Sequence, residues 1–586
     1  MSPIEDPRFL LRQFLWNKRY AYALSILSII ASEFVAVQFP NILGQFTNLL
    51  DKGRMNSALI VHYALLLLIV GVVAVLLFGI GQFRNGQIGR RFEYDLRFRL
   101  FAHWELLSTS YFRKRSIGDL LNHAMNDVRA VREALSGGMN ILTNAVFLLI
   151  ATLFMTFRTI SVELTLVSMI PMLFVPVFII RFGPRIRDAS RQVQESLSDM
   201  ADLTEESLAA VRLVKATANE RVEARRFGER VEEIVRRQMA MIGRSAVFQS
   251  FIPLMGSLSF AIALSYGGYL TLKGTINLGD FVAFTMYLGM IITPLQQIGF
   301  VINNYQRASA SLTRLSILLG EVPEIADAPN AVSLPQVNGD LRVSLPAFQY
   351  PDGQHHALED ISFEAPAGAT IGIVGRTGSG KTTLVNLLPR IFEAPKGSVY
   401  LDGVDIRQLR LADLRRAIAY VPQDGFLFSA TIADNIAFSR ADATDEEIMA
   451  AAQDACLAED ISRFTDGMHT QIGERGVTLS GGQKQRAAIA RALLKQAPVL
   501  ILDDSLSAVD MATEKQILGR LRELRAQKTT IIVAHRLSAV RHADLILVLE
   551  DGRLAERGTH EELLAQAGLY ATTYQLQQTE SEEVSA

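Results

Sequence analysis

Cysteine is nearly absent: Cys456 is the only one in 586 residues, which excludes an intrachain disulfide, and Cys and His nowhere cluster at metal-ligand spacing. A surplus of one charge sign is missing too. With 58 Lys and Arg against 60 Asp and Glu, the net charge of -2 gives no argument for nucleic acid as a partner. The first residues lack the pattern of a cleavable signal sequence. Charge of either sign is scarcest before about residue 305, in long apolar runs.

What is present there is hydrophobic surface. Hydrophobic residues make up 49% of the chain, high for a soluble enzyme, and the length exceeds the single-domain range. Six apolar stretches can be cut: Tyr22 to Leu43, Ala58 to Ile80, Asn140 to Phe157, Leu164 to Ile180, Val247 to Leu272 and Phe281 to Ile302. Each is near the ~20 residues that a spanning helix requires. Pro171, Pro176, Pro253 and Pro294 would break soluble helices but are tolerated in membrane helices whose neighbours satisfy the freed carbonyls. Basic residues crowd two long connections, with Arg84, Arg90, Arg91, Arg97 and Arg99 in one and Arg181, Arg185, Arg187 and Arg191 in the other. The positive-inside rule then predicts that these connections and both termini are cytoplasmic, in a cell membrane crossed several times. Arg8 to Arg19, with Phe9, Leu10, Leu11, Phe14, Leu15 and Trp16, reads as an amphipathic helix on the bilayer surface.

The second half carries different chemistry. Gly375-Arg376-Thr377-Gly378-Ser379-Gly380-Lys381-Thr382 follows the apolar run Thr370 to Val374 and precedes the helix-like Thr383 to Leu388. That is the strand, loop and helix context of a P-loop. Its glycines let backbone N–H groups converge on phosphates, Lys381 adds a point charge and the Thr382 hydroxyl a magnesium ligand. About a hundred residues later comes Leu479-Ser480-Gly481-Gly482-Gln483, followed by Lys484-Gln485-Arg486. This pair of motifs resembles the ATP-binding cassette (ABC) family.

The resemblance spans roughly Leu341 to Tyr574 and implies an α/β P-loop ATPase domain fused to a membrane α-helical bundle of six spans. It divides the chain into a membrane domain over 1–320, a linker over 321–340 marked by Pro323, Asp327, Pro329, Asn330 and Pro335, an ATPase domain over 341–575 and a polar tail over 576–586. It implies that ATP and Mg2+ are the cofactors. Gly375 through Thr383 would hold the phosphates and Tyr350 would stack on adenine, the alternative being that Tyr350 is an ordinary strand aromatic. Asp503, ending the apolar strand Val499 to Leu502, would hold magnesium with Thr382 and Gln423. Gln423 and His535 would sense the attacking water and the γ-phosphate. Ser480, Gly481, Gly482 and Gln483 would act on ATP held by an opposite cassette, and Asp510 would cross the dimer interface. Six spans and one cassette make half a transporter, so the working unit implied is a dimer.

Two cytoplasmic connections of about fifty to sixty residues are too long for simple loops. They resemble the projecting helical hairpins of ABC exporters, whose turns dock on the ATPase domain. Tyr111-Phe112 with Gly118-Asp119-Leu120 and Asn126-Asp127 matches the first turn, and Val214-Lys215-Ala216 with Glu220 and Phe227 matches the second.

One position departs from the family. Asp504 follows Asp503 where the family's catalytic base is a glutamate. The missing methylene implies a slow or silent site on this chain's Walker motifs, since misplacement of about an ångström can cost ~100-fold in rate. With the signature intact, this resembles one half of a heterodimeric exporter whose partner half-transporter supplies the glutamate. A slow homodimer is the alternative. Glu33 is the only acid deep in an apolar stretch, and with Gln296 and Gln297 it could line a chamber for hydrophobic or amphipathic compounds such as drugs, lipids or peptides. These groups could equally hydrogen-bond between helices. A nucleotide-gated channel or regulatory subunit would share every motif.

Overall fold

The computed structural model describes residues 7–473 and 479–585, so residues 1–6 of the expected membrane domain and Ala586 of the expected tail lie outside it. The chain forms two compact units: Met1–Glu105 with Ile117–Glu321, and Leu106–Ser116 with Val322–Ala586. In the first, α1 (Pro7–Asn17), α2 (Arg19–Ala36), α3 (Gln38–Asp51) and α4 (Ser57–Trp104) precede α5 (Thr109–Lys114), which belongs to the second unit. Then follow α6 (Ile117–Thr159), α7 (Val162–Met169), α8 (Phe174–Ala209), α9 (Glu220–Leu272) and α10 (Leu278–Gly320). Among the described residues five helices are long and apolar enough to cross a membrane, or six if the bent pair of α7 and the helix after it is one span.

Proline explains where the continuous runs break. Pro40 has no N–H for the carbonyl four residues back, and the first run divides at Val37. At the junction the Val37 carbonyl accepts from the Tyr287 hydroxyl at 2.9 Å, which ties the break to a neighbouring helix. Pro171 likewise interrupts the fourth run, which bends by 48° there.

Small and hydroxylated residues hold these helices together. Ser25, Ser28 and Ser32 lie on one face of α2 and donate to the carbonyls of Gly81, Leu77 and Ala74 on α4, at 2.6, 2.7 and 2.7 Å. A Cβ on Gly279 would stand 1.9 Å from the Gly44 carbonyl oxygen, so no side chain fits where α3 and α10 meet. Leu65, Leu68, Val72, Val75 and Leu76 of α4 are exposed, a continuous apolar face that suits lipid rather than water. Asp127, expected in the first docking turn, sits instead inside the first unit: it is buried and accepts from Ser311 Oγ at 2.8 Å and Arg314 Nε at 3.0 Å. A buried carboxylate needs such partners, and these come from α10.

The second unit is built on two sheets. Strands β1 (Leu341–Phe348), β2 (Leu358–Ala365), β3 (Thr370–Gly375), β4 (Val399–Leu401), β5 (Val404–Asp405), β6 (Ile418–Val421), β7 (Val499–Asp503), β8 (Thr529–Val533), β9 (Leu545–Glu550) and β10 (Arg553–Gly558) enter in that order. An antiparallel sheet runs β2-β1-β4-β5, and a second runs β10-β9-β3-β8-β7-β6. Within the second sheet β9, β3, β8, β7 and β6 are parallel and β10 is an antiparallel edge. Strands β7 and β8 are buried along their whole length, as the unbroken apolar run Val499 to Leu502 requires of a central parallel strand. The carboxyl ends of β3, β7 and β8 meet at one edge, where a doubly wound sheet binds ligands.

Candidate functional site

The loop after β3 turns into α11 (Lys381–Leu387) through Gly378 at φ +87° and Gly380 at φ +96°. Only glycine suits Gly380: a Cβ would lie 2.6 Å from the Leu358 side chain in a backbone region that L residues avoid. Lys381 is buried and donates Nζ to the carbonyls of Gly375 and Arg376, each at 2.8 Å. Burial pulls its pKa below the usual lysine value, against the opposing charges of Asp504 and Asp503. Ser379 Oγ is buried in this loop without a hydrogen-bond partner.

Facing the loop, Asp503 is fully buried at the end of β7. Its Oδ1 accepts from Thr382 Oγ1 at 3.0 Å and its Oδ2 from the Tyr420 hydroxyl at 3.1 Å. Burial pushes its pKa above the usual carboxylate value, and these two bonds act against that. Next to it, Asp504 adopts φ +48°, a left-handed conformation that Asp tolerates better than most side chains. Its Oδ2 lies 3.4 Å from Gln423 Nε2 and 4.0 Å from His535 Nε2.

These groups line one cleft of about 390 Å3 with Tyr350, Thr377, Gly378, Gly380, Thr383, His356, Asp551 and Gly552. Tyr350 donates its hydroxyl to Thr383 Oγ1 at 2.8 Å and packs edge-on against Phe392 at 4.9 Å. The Arg113 guanidinium of α5 stands 5.4 Å from the ring centre, and the adjacent Lys114 pairs with Asp352 at 2.8 Å. His356 and Asp551 escaped sequence reasoning; their only signal was the Asp551-Gly552 turn between two apolar runs.

The signature stands elsewhere. Ser480 and Gly481 are exposed and do not line the cleft. Ser480 caps α12 (Gly481–Leu494) in a reciprocal box with Gln483, at 3.3 and 2.9 Å. A Cβ on Gly482 would meet the Ala508 carbonyl at 2.9 Å. Asp510 is exposed and accepts from Thr513 N at 3.0 Å, capping α13 (Met511–Leu524). In the first unit Glu33 is buried and accepts from Asn144 Nδ2 at 2.6 Å, joining α2 to α6. Gln296 is exposed on α10, while Gln297 Oε1 is buried without a partner.

A buried ammonium, a loop of converging N–H groups, two carboxylates and an aromatic ring together suit a nucleoside polyphosphate. Comparison with known proteins agrees. Residues 22–295 match the family model of the ABC transporter transmembrane region and residues 358–507 that of the ABC transporter domain. The chain is 38% identical over 562 residues to a probable multidrug resistance ABC transporter ATP-binding/permease protein, YheI, of Bacillus subtilis, covering 95% of each. It is 35% identical to an ATP-dependent lipid A-core flippase of Syntrophus aciditrophicus, covering 84% of this chain and 81% of that one. A solved bacterial Atm1-family ABC exporter with ATP bound aligns with TM-score 0.79 and 27% identity, covering 96% of this chain and 98% of that one. This chain belongs to the ABC transporter family, as an exporter-type membrane domain fused to an ATPase domain whose hydrolysis of ATP is coupled to transport.

Proposed function

We propose that this chain is one half of a heterodimeric exporter of hydrophobic or amphipathic compounds, and that the site on its own Walker residues turns over slowly. Asp504 carries the reading. Its side chain is one methylene shorter than the family's glutamate and its Oδ2 stands 3.4 Å from Gln423 and 4.0 Å from His535, so a water placed for a glutamate would lie about an ångström beyond its reach. Lys381, Thr382, Gln423 and His535 are otherwise in place to bind ATP, and the exposed Ser480 and Gly481 are free to complete a faster site on the partner half.

Magnesium suits the donor set, since Thr382, Asp503 and Gln423 offer hard oxygens and the nucleotide would supply the rest. Once bound with ATP it would neutralise phosphate charge as the bond to the leaving group breaks. Tyr350 would orient adenine, and Lys381 would hold the phosphates. The chain would reside in the cell membrane with both termini and the ATPase domain in the cytoplasm, a reading the basic connections support. Glu33 would tune a polar chamber with Gln296 and Gln297, held in place by Asn144. The names of the multidrug and lipid A-core relatives point to the same broad class of compound.

Inverted membrane vesicles carrying both halves test transport directly. A cationic amphipathic dye accumulates with ATP and not with a non-hydrolysable analogue. Equal dye movement with either nucleotide would contradict export and favour a nucleotide-gated pore.

A further inference from the structure

We propose that Gln577, on the C-terminal helix, is a positioning residue for His535: its carboxamide clamps the backbone on either side of Arg536 and so sets where the His535 ring stands in the cleft. The inference rests on reading His535 as the group that contacts the γ-phosphate. Gln577 Oε1 accepts from Leu537 N at 2.9 Å, and Gln577 Nε2 donates to the His535 carbonyl at 2.8 Å. One planar amide thus satisfies an acceptor and a donor two residues apart, a match that fixes orientation as well as distance.

The ring needs such a support because its own side-chain contacts are poor. The His535 side chain is 41% exposed, and it stands 4.0 Å from Asp504, beyond hydrogen-bonding range. Strand β8 ends at Val533. Beyond it, Ala534 N bonds to Ile373 O at 3.1 Å and Arg536 pairs with buried Glu514 at 2.9 Å. Gln577 closes the remaining gap between these anchors.

Gln577 is itself held rigidly. The helix α14 (Leu569–Ser585) starts on the carboxylate of Glu556, which accepts from the backbone N–H groups of Leu569 and Tyr570. Tyr570 is 1% exposed within the core that includes Leu537, and its hydroxyl lies 2.8 Å from His560 Nδ1. Tyr574 packs against His560 at 5.1 Å between ring centres. Tyr570, Tyr574 and Gln577 recur at i, i+4 and i+7, which places all three on one face of the helix. Buried Tyr570 and half-buried Tyr574 therefore aim Gln577 at the loop that carries His535.

The test is single-turnover hydrolysis of limiting magnesium-ATP by excess assembled transporter, this chain with a partner half whose own Walker site is disabled, for the wild type, Gln577→Met, His535→Ala and the double variant. We expect Gln577→Met to slow hydrolysis about tenfold while ATP affinity stays within about twofold, because the ring is misplaced and the phosphate cradle is untouched. We also expect the double variant to be no slower than His535→Ala, since both changes act through one ring. Gln577→Glu keeps the acceptor for Leu537 but sets oxygen against oxygen at His535. It gives the same loss without removing side-chain volume and replaces the Met variant if that variant folds poorly. A full-speed Gln577→Met beside a slow His535→Ala, or losses that multiply in the double variant, would overturn the inference and leave the reading of the site intact. A full-speed His535→Ala would overturn both.

Discussion

Oδ2 of Asp504 and Nε2 of Gln423 lie 3.4 Å apart, at the long edge of a hydrogen bond, although both side chains face the same cleft. Asp504 holds this place from a left-handed backbone at φ +48°. The backbone therefore sets where this carboxylate starts, and its contact with Gln423 is a long one.

Lengthening Asp504 to Glu restores the missing reach. Single-turnover hydrolysis with the partner's site disabled rises about tenfold or more if reach is the defect. Glutamate is less at ease than aspartate in a left-handed backbone, so the variant also melts slightly earlier. No gain in rate would move suspicion to the partner's signature.

Signature and Walker substitutions separate the two sites. In the assembled transporter Gly481→Asp abolishes steady-state ATPase activity, because this signature completes the fast site, whereas Lys381→Ala chiefly weakens nucleotide retention on this chain. Ser480→Ala acts like Gly481→Asp but also removes the cap of α12, about 1 kcal/mol of helix stability, so Gly481→Asp is the cleaner probe. Greater damage from Lys381→Ala reverses the assignment of fast and slow sites.

Tyr350 offers a ring to adenine and a hydroxyl to Thr383. Tyr350→Phe keeps the ring and loses one hydrogen bond, so ATP affinity changes little. Tyr350→Ala removes the stack, worth about 1–3 kcal/mol, and equilibrium titration with a fluorescent ATP analogue records the loss. Equal affinity for both variants shows that Tyr350 is an ordinary strand aromatic.

Much of this site is legible in the sequence because phosphate binding dictates a local pattern. Gly375 to Thr382 are contiguous, and Asp503 ends an apolar strand that can only be central. The breaks at Val37 and near Pro171 were less visible, since a membrane tolerates proline and hydropathy averages over it. Contacts between distant parts of the chain left no local pattern at all. Asp127 looks like a polar turn residue until Arg314 is found beside it, and Gln577 sits in a stretch that reads as a polar tail.

Buried Asp503 gives a pH signature. Its pKa is raised, first by burial, so the folded protein holds this proton more tightly than the unfolded chain. Stability from the protonated form is present below the ordinary carboxylate range of ~4 and is lost as pH rises through the folded value. Magnesium-ATP needs the ionised form, so its retention falls as pH drops through that same raised value. Melting curves without magnesium check the sign: the wild type loses ground to Asp503→Asn as pH rises, and magnesium-ATP reverses the order. A wild type that tracks Asp503→Asn at every pH refutes the shift.

The most direct test of the account compares ATP turnover by this chain purified alone with turnover after co-expression with a half-transporter that carries glutamate after its Walker B aspartate. The account predicts little activity alone and full activity in the mixed assembly, abolished by Gly481→Asp on this chain. Robust turnover by the chain alone, undiminished by the absence of any partner, would contradict it.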